Sequence, residues 1–351
     1  MSNRLTNSIP DLLLLGTGTR VGREESELEV VALPAQAIFH SVIFGKSGYG
    51  KSRFLCALAL MLLSRGIPFF LIDKTGDLAG LLLQLLISLE WFSQADAFSQ
   101  LVFLDLNKAR QKGLYLPFNV LQTSHDPYTT ADMVFEAFTR SFPSLKGGTM
   151  INIELLLKVC AYVLAANTLP LFPYMYYLLA DTPYRSRLLA SPAVKDSLIK
   201  NFFEQHTHPK TGELTISADP TIKRLFILCF APVIRYSLGQ SRNVLDFPAF
   251  FANGTSVILN LQSPDPETIR LIGSLVTVSV ELAAKARGDI PAAQRKGTHA
   301  LIIDEFQQFV SSSGESFNNI LDECRKYGLY LVLASQSYKR VPDSCICQSE
   351  T

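Results

Sequence analysis

Apolar positions fall along this chain in two kinds of block. Short β-branched and aromatic runs at 28–33 (LEVVAL) and 37–44 (AIFHSVIF) have the length and composition of strands, and the second opens directly into a glycine-rich stretch, IFGKSGYGKSRF. From Lys51 to Leu63 come good helix formers without a breaker, until Gly66 and Pro68 end the segment and FFLID (69–73) resumes as a strand. Strand, helix, strand predicts a parallel βαβ unit. A leucine cluster from Leu78 to Leu89 reads as the next helix, and LVFLDL (101–106) as a third strand with an aspartate near its end.

Helical periodicity dominates between about 128 and 250, with short breaks expected at Pro143, Pro170, Pro173, Pro183, Pro192 and Pro220. Strand character returns at SVILNL (256–261). A long helix pattern follows from Pro266 to Ala286, then the strands ALIIDEF (300–306) and LYLVLASQ (329–336). The expected organisation is therefore an α/β core whose N-terminal half is 1–127, a mainly helical insertion at 128–250, and a C-terminal half of the core at 251–351. The segments 206–213 and 287–297 read as surface loops.

Composition narrows the class. A chain of 351 residues with 48% hydrophobic and 18% charged residues supports a large packed core, and a formal charge of +1 makes any nucleic-acid surface a local patch. Cys56, Cys160, Cys229 and Cys324 lie in apolar context, which suits reduced thiols rather than a disulfide framework. Cys345 and Cys347 lack a matching set of zinc ligands nearby. The four-leucine run near the start is too short for a signal peptide, and no apolar run reaches the ~20 residues of a membrane span. A cytoplasmic protein without a transmembrane segment is the expectation.

Gly45, Gly50, Lys51 and Ser52 match G-x-x-x-x-G-K-[ST] between a predicted strand and a predicted helix. Glycines let successive N–H groups turn inward around a phosphate, and the helix N-terminus adds partial positive charge there. The expected phosphate-binding residues are Gly45, Lys46, Ser47, Gly48, Tyr49, Gly50, Lys51, Ser52 and Arg53. Lys51 would reach the β- and γ-phosphates of ATP, and the Ser52 hydroxyl would ligate Mg²⁺. Asp304, after three apolar residues, is the expected metal-side carboxylate, and Glu305 the general base. Gln336 closes a strand that would lie beside the Asp304 strand and would point its amide at the γ-phosphate or its water. Arg325 and Lys326 read equally as a trans-acting arginine finger with its neighbour and as a solvated helix end. The turn 73–77 (DKTGD), and His206 and His208, are explained by turn and loop chemistry.

In order, HSVIFGKSGYGKS, FLIDKTGDL, YLPFNVL, IRYSLGQSRNVLDF, ALIIDEFQQF and CRKYGLYLVLASQ resemble the FtsK–HerA superfamily of DNA-pumping ATPases, in particular the conjugative coupling proteins of type IV secretion. The resemblance spans most of residues 36–340. It implies a RecA-like P-loop NTPase core, α/β with a mainly parallel sheet, carrying a mostly α-helical insertion. It further implies ATP hydrolysis with Mg²⁺, DNA as the moved substrate, a homo-hexamer, and relaxase and secretion-channel partners. In that setting Glu305 and Gln336 are catalytic, Arg325 acts in trans, and Ser52 and Asp304 serve the metal. Only residues 337–351 follow Gln336, so the C-terminal part is expected to be truncated. Two other functions fit the same motifs: a nucleotide-binding, non-hydrolysing assembly or regulatory fragment, and a DNA-packaging or partition ATPase. Residues 181–242 hold nine Lys/Arg against five acids, a modest basic excess that fits either phosphate contact or a solvated helical face.

Overall fold

Unbroken apolar runs pair in parallel when both faces of the sheet are covered, and that is how the central strands assemble. The computed structural model describes residues 12–18, 29–34, 40–46, 48–142, 150–216, 218–291, 297–309 and 324–337. An antiparallel ribbon of β1 (Leu12–Gly18) and β2 (Glu29–Pro34) precedes the main sheet and forms a sheet of its own. The core then runs β3 (Ser41–Phe44), α1 (Lys51–Ser64), β4 (Phe69–Asp73), α2 (Asp77–Ser88), α3 (Ala97–Gln100), β5 (Leu101–Asp105) and α4 (Leu106–Gln111). The helical segment comprises α5 (Pro127–Ser141), α6 (Met150–Ala166), α7 (Tyr174–Ala180), α8 (Thr182–Leu189), α9 (Ser197–Gln205), α10 (Asp219–Leu228), α11 (Pro232–Ser237) and α12 (Phe247–Asn253). Finally β6 (Ser256–Asn260), α13 (Pro266–Ala286), β7 (His299–Asp304) and β8 (Leu329–Ser335) complete the sheet, in the order β3-β8-β7-β4-β6-β5 with every pair parallel.

This order inserts β8 and β7 between β3 and β4, so the loop after β3 lies next to the ends of the last two strands. Two apolar clusters cover the sheet. One joins Leu55, Leu58 and Leu62 of α1 and Leu82 of α2 to Phe69, Leu71, Ile302 and Val332. The other carries α13 and the helical segment together with Phe70, Ile303 and Leu333, so the insertion shares one continuous core with the second face.

Several local features differ from the sequence pattern. Pro183 and Pro220 begin α8 and α10 rather than separating helices, because a first-turn proline has no hydrogen bond to lose. Strand β3 begins at Ser41, directly after His40 turns at φ 64; positions 37–39 of the expected strand lie outside the described residues. Pro143, Cys345, Cys347 and the segment after Ser337 also lie outside them. The 287–297 stretch is not all surface: Arg287 is buried, its guanidinium 5.0 Å from the Phe251 ring and donating to the Gly297 carbonyl at 2.8 Å. Among the described residues, no helix is long and apolar enough to cross a membrane.

Candidate phosphate-binding and hydrolytic site

The turn from β3 into α1 is built around left-handed glycines, with Gly48 and Gly50 both at φ 84. A side chain at either position would strain the backbone. Gly45 N–H donates to the Ser335 carbonyl at 3.2 Å, tying the loop to the end of β8. Gly50 is the N-cap of α1, and no side chain caps that helix end. Its first amides, with the helix dipole behind them, are the donors a phosphate takes. Lys46, Tyr49 and Arg53 are exposed on the loop and first turn, Ser52 is half-buried, and Ser47 lies outside the described residues.

Lys51 turns inward. Its Nζ donates to Glu305 Oε1 at 2.5 Å and stands 3.4 Å from Asp304 Oδ1, with all three side chains less than a tenth exposed. Strand register explains the meeting: Asp304 pairs with Ala334 on β8, and β8 carries β3 on its other side. Glu305 follows in a left-handed turn at φ 56, which rotates its carboxylate toward the loop. The Gln307 amide donates to its other oxygen, Oε2, and Gln336 lies close enough to help lower the pKa of the same carboxylate.

The two acids carry different proton affinities. Burial raises the Asp304 pKa above the ordinary carboxylate value, opposed by the nearby Lys51 charge. Burial also pushes Glu305 upward, but hydrogen bonds from Lys51 and Gln307, the Lys51 charge and the Gln336 contact hold it below the ordinary glutamate value. Asp304 Oδ1 is buried without a hydrogen-bond partner among the described residues. A buried carboxylate oxygen without a hydrogen-bond partner, with the Asp73 and Glu305 carboxylates close by and the start of α1 beside it, fits a Mg²⁺-nucleotide. Ser52 and Asp304 are the residues that would hold the ion.

The remaining predicted residues are distributed elsewhere. Arg325 and Lys326 are exposed just before β8, at the N-terminal end of the parallel strands and opposite the phosphate loop at their C-terminal end, so they do not join the site of their own chain. Asp73 is buried and spends its carboxylate on Thr75 N–H, the Thr75 hydroxyl and Ala79 N–H, as turn and helix-start chemistry predicts. His208 Nδ1 accepts from the Lys210 and Thr211 amides, and His206 packs on Phe202. Two cations of the 181–242 stretch are already engaged: Arg185 is buried on the carbonyls of Leu178, Leu179 and Gly212, and Arg224 pairs with Glu267 at 3.1 Å. Cys56, Cys160 and Cys229 are free thiols, Cys324 is buried, and burial lifts Cys56 and Cys229 to about 11. A cavity of about 440 Å³ lies away from this chemistry, between Phe118, Met133, Phe247 and Leu282.

Gln307 was not singled out from the sequence. Its only signal was its place two residues beyond the acidic pair, in ALIIDEFQQF.

Fold and site together define a RecA-like P-loop core with a helical insertion. The chain shares that fold with plasmid coupling proteins and a VirB4 protein of known structure. The plasmid coupling protein TrwB in complex with the non-hydrolysable GTP analogue GDPNP matches at TM-score 0.58 and 16% identity, over 90% of this chain and 70% of that one. TrwB in complex with ADP and Mg²⁺ matches equally, at 0.58 and 16% over the same shares. VirB4 of Thermoanaerobacter pseudethanolicus matches at 0.50 and 13%, over 95% of this chain and 82% of that one. No protein-family model and no curated protein sequence matches the chain.

Proposed function

We propose that the chain is a Mg²⁺-dependent ATPase that couples hydrolysis to the movement of DNA, in conjugative transfer or a related process. The observation that carries this reading is the convergence of Lys51, Asp304, Glu305 and Gln336, from three separate stretches of sequence, on one cluster at the ends of β3, β7 and β8. Structures of similar fold hold ADP with Mg²⁺ or non-hydrolysable nucleotides, which supports the nucleotide class.

On this reading the β- and γ-phosphates draw Lys51 from Glu305, because two phosphate charges outcompete one carboxylate. Glu305 then takes a proton from the attacking water, and Gln336 keeps its carboxylate in place. Mg²⁺ would supply charge neutralisation at the leaving and transferred phosphates. Arg325 of one subunit would serve a neighbour's site in a ring of six, consistent with its exposure at the opposite end of the strands from the phosphate loop. DNA as cargo, hexamer assembly, and relaxase and channel partners come from the family likeness; the fold is compatible with protein cargo as well. Steady-state ATP turnover measured with and without DNA separates these: a rise of several-fold on adding DNA supports the translocase, and turnover indifferent to DNA of any form removes it.

A further inference from the structure

Glu305 is gripped on both carboxylate oxygens, by Lys51 on Oε1 and by the Gln307 amide nitrogen on Oε2. A carboxylate only accepts, so the Gln307 amide must present its nitrogen there and its oxygen elsewhere. That oxygen, Gln307 Oε1, is buried and has no hydrogen-bond partner among the described residues. Leaving such an acceptor dry forfeits its hydration with nothing in return, which calls for an explanation. The backbone that carries it is firmly fixed. Phe306 and Phe309 on either side are buried, and the Phe309 ring lies against Gly273 of α13 so closely that a Cβ there would be 2.2 Å from it.

We propose that Gln307 is a positioning residue of the hydrolytic step, an inference that rests on Glu305 being the base. Its nitrogen aims the Glu305 carboxylate after Lys51 has left for the phosphates. Its orphan oxygen accepts one hydrogen of the attacking water. In the step itself one water O–H bond breaks and its proton passes to Glu305. The water oxygen bonds to the γ-phosphorus as the bond to the ADP oxygen breaks. The second hydrogen stays on the new phosphate oxygen, steadied by Gln307.

The test pairs Gln307→Met, which keeps length and loses both polar atoms, with Gln307→Glu, which keeps an acceptor and loses the donor. Each is measured for ATP turnover and for affinity toward a non-hydrolysable ATP analogue with Mg²⁺. The expected result is a loss of kcat of about ten- to a hundredfold, with KM and analogue affinity within twofold of wild type, and no further single-turnover loss when Gln307→Met is added to Glu305→Gln. Wild-type kcat in a folded variant would overturn the proposal, as would an undiminished further loss in the Glu305→Gln background. If Glu305→Gln itself turns over normally, the base assignment falls and this inference with it. If Glu305→Gln is inactive while both Gln307 variants are not, only the role of Gln307 falls.

Discussion

Lys51 touches two carboxylates at once, and on the proposed function that contact is the resting site, a cation held between an acid pair until a phosphate offers more negative charge. Other residues are equally specific. His299 is fully buried between the rings of Phe70 and Phe251, and burial first, with the Arg287 charge second, lowers its pKa from 6.5 to about 3. The sign follows directly: below 6.5 the unfolded chain takes a proton that the folded chain refuses until about 3. Stability is therefore complete above pH 6.5 and falls as pH drops toward 3, with a limiting slope of about 1.4 kcal/mol per unit. Acid unfolding of His299→Phe should be shallower across that window, and an unchanged profile would exclude this residue as the cause. The phosphate loop and the acid pair were legible because their residue types are dictated by chemistry. Gln307 was not, since nothing in a glutamine two residues along shows which way its amide turns.

At the scale of elements, the helical segment is joined to the core by a buried ion pair. Arg140 of α5 donates to Glu281 of α13 at 3.0 Å and to Glu136 at 2.6 Å, and Lys285 reaches Glu281 at 2.8 Å. Replacing Glu281 with Ala leaves a buried guanidinium short of charge and should cost about 3 kcal/mol, seen as a lowered denaturant midpoint; a loss below about 0.5 kcal/mol would mean that the apolar contacts alone join the two. Gly273→Ala drives a methyl into the Phe309 ring and should cost about 1–3 kcal/mol. Because that ring flanks the Gln307 turn, turnover should fall alongside stability, and an unaffected melting temperature would contradict the packing described. Helix α13 was legible to both ends because Asp265 caps a strong apolar periodicity. The β1–β2 ribbon was not legible as a separate sheet, since alternation within a strand does not say which partner it takes.

For the whole molecule, the sheet order brings the first core strand and the last two together, so a site split across some 290 residues of sequence closes on itself. The parallel class was legible from alternating strands and helices; the order of strands needed the coordinates. The local basic excess weakens as a DNA surface once Arg185 and Arg224 are seen to be engaged internally, so neutralising the exposed Lys195 and Lys210 and the half-buried Lys200 should change DNA-stimulated turnover little, and a large loss would restore the patch. Phosphate release from ATP is the most direct measurement, made side by side on the wild type, Lys51→Ala and Glu305→Gln with nucleotide binding recorded for each. The predicted result is turnover by the wild type only, with Glu305→Gln still binding nucleotide and Lys51→Ala binding it weakly. Undiminished phosphate release by either variant would contradict a hydrolytic site built on this ion pair.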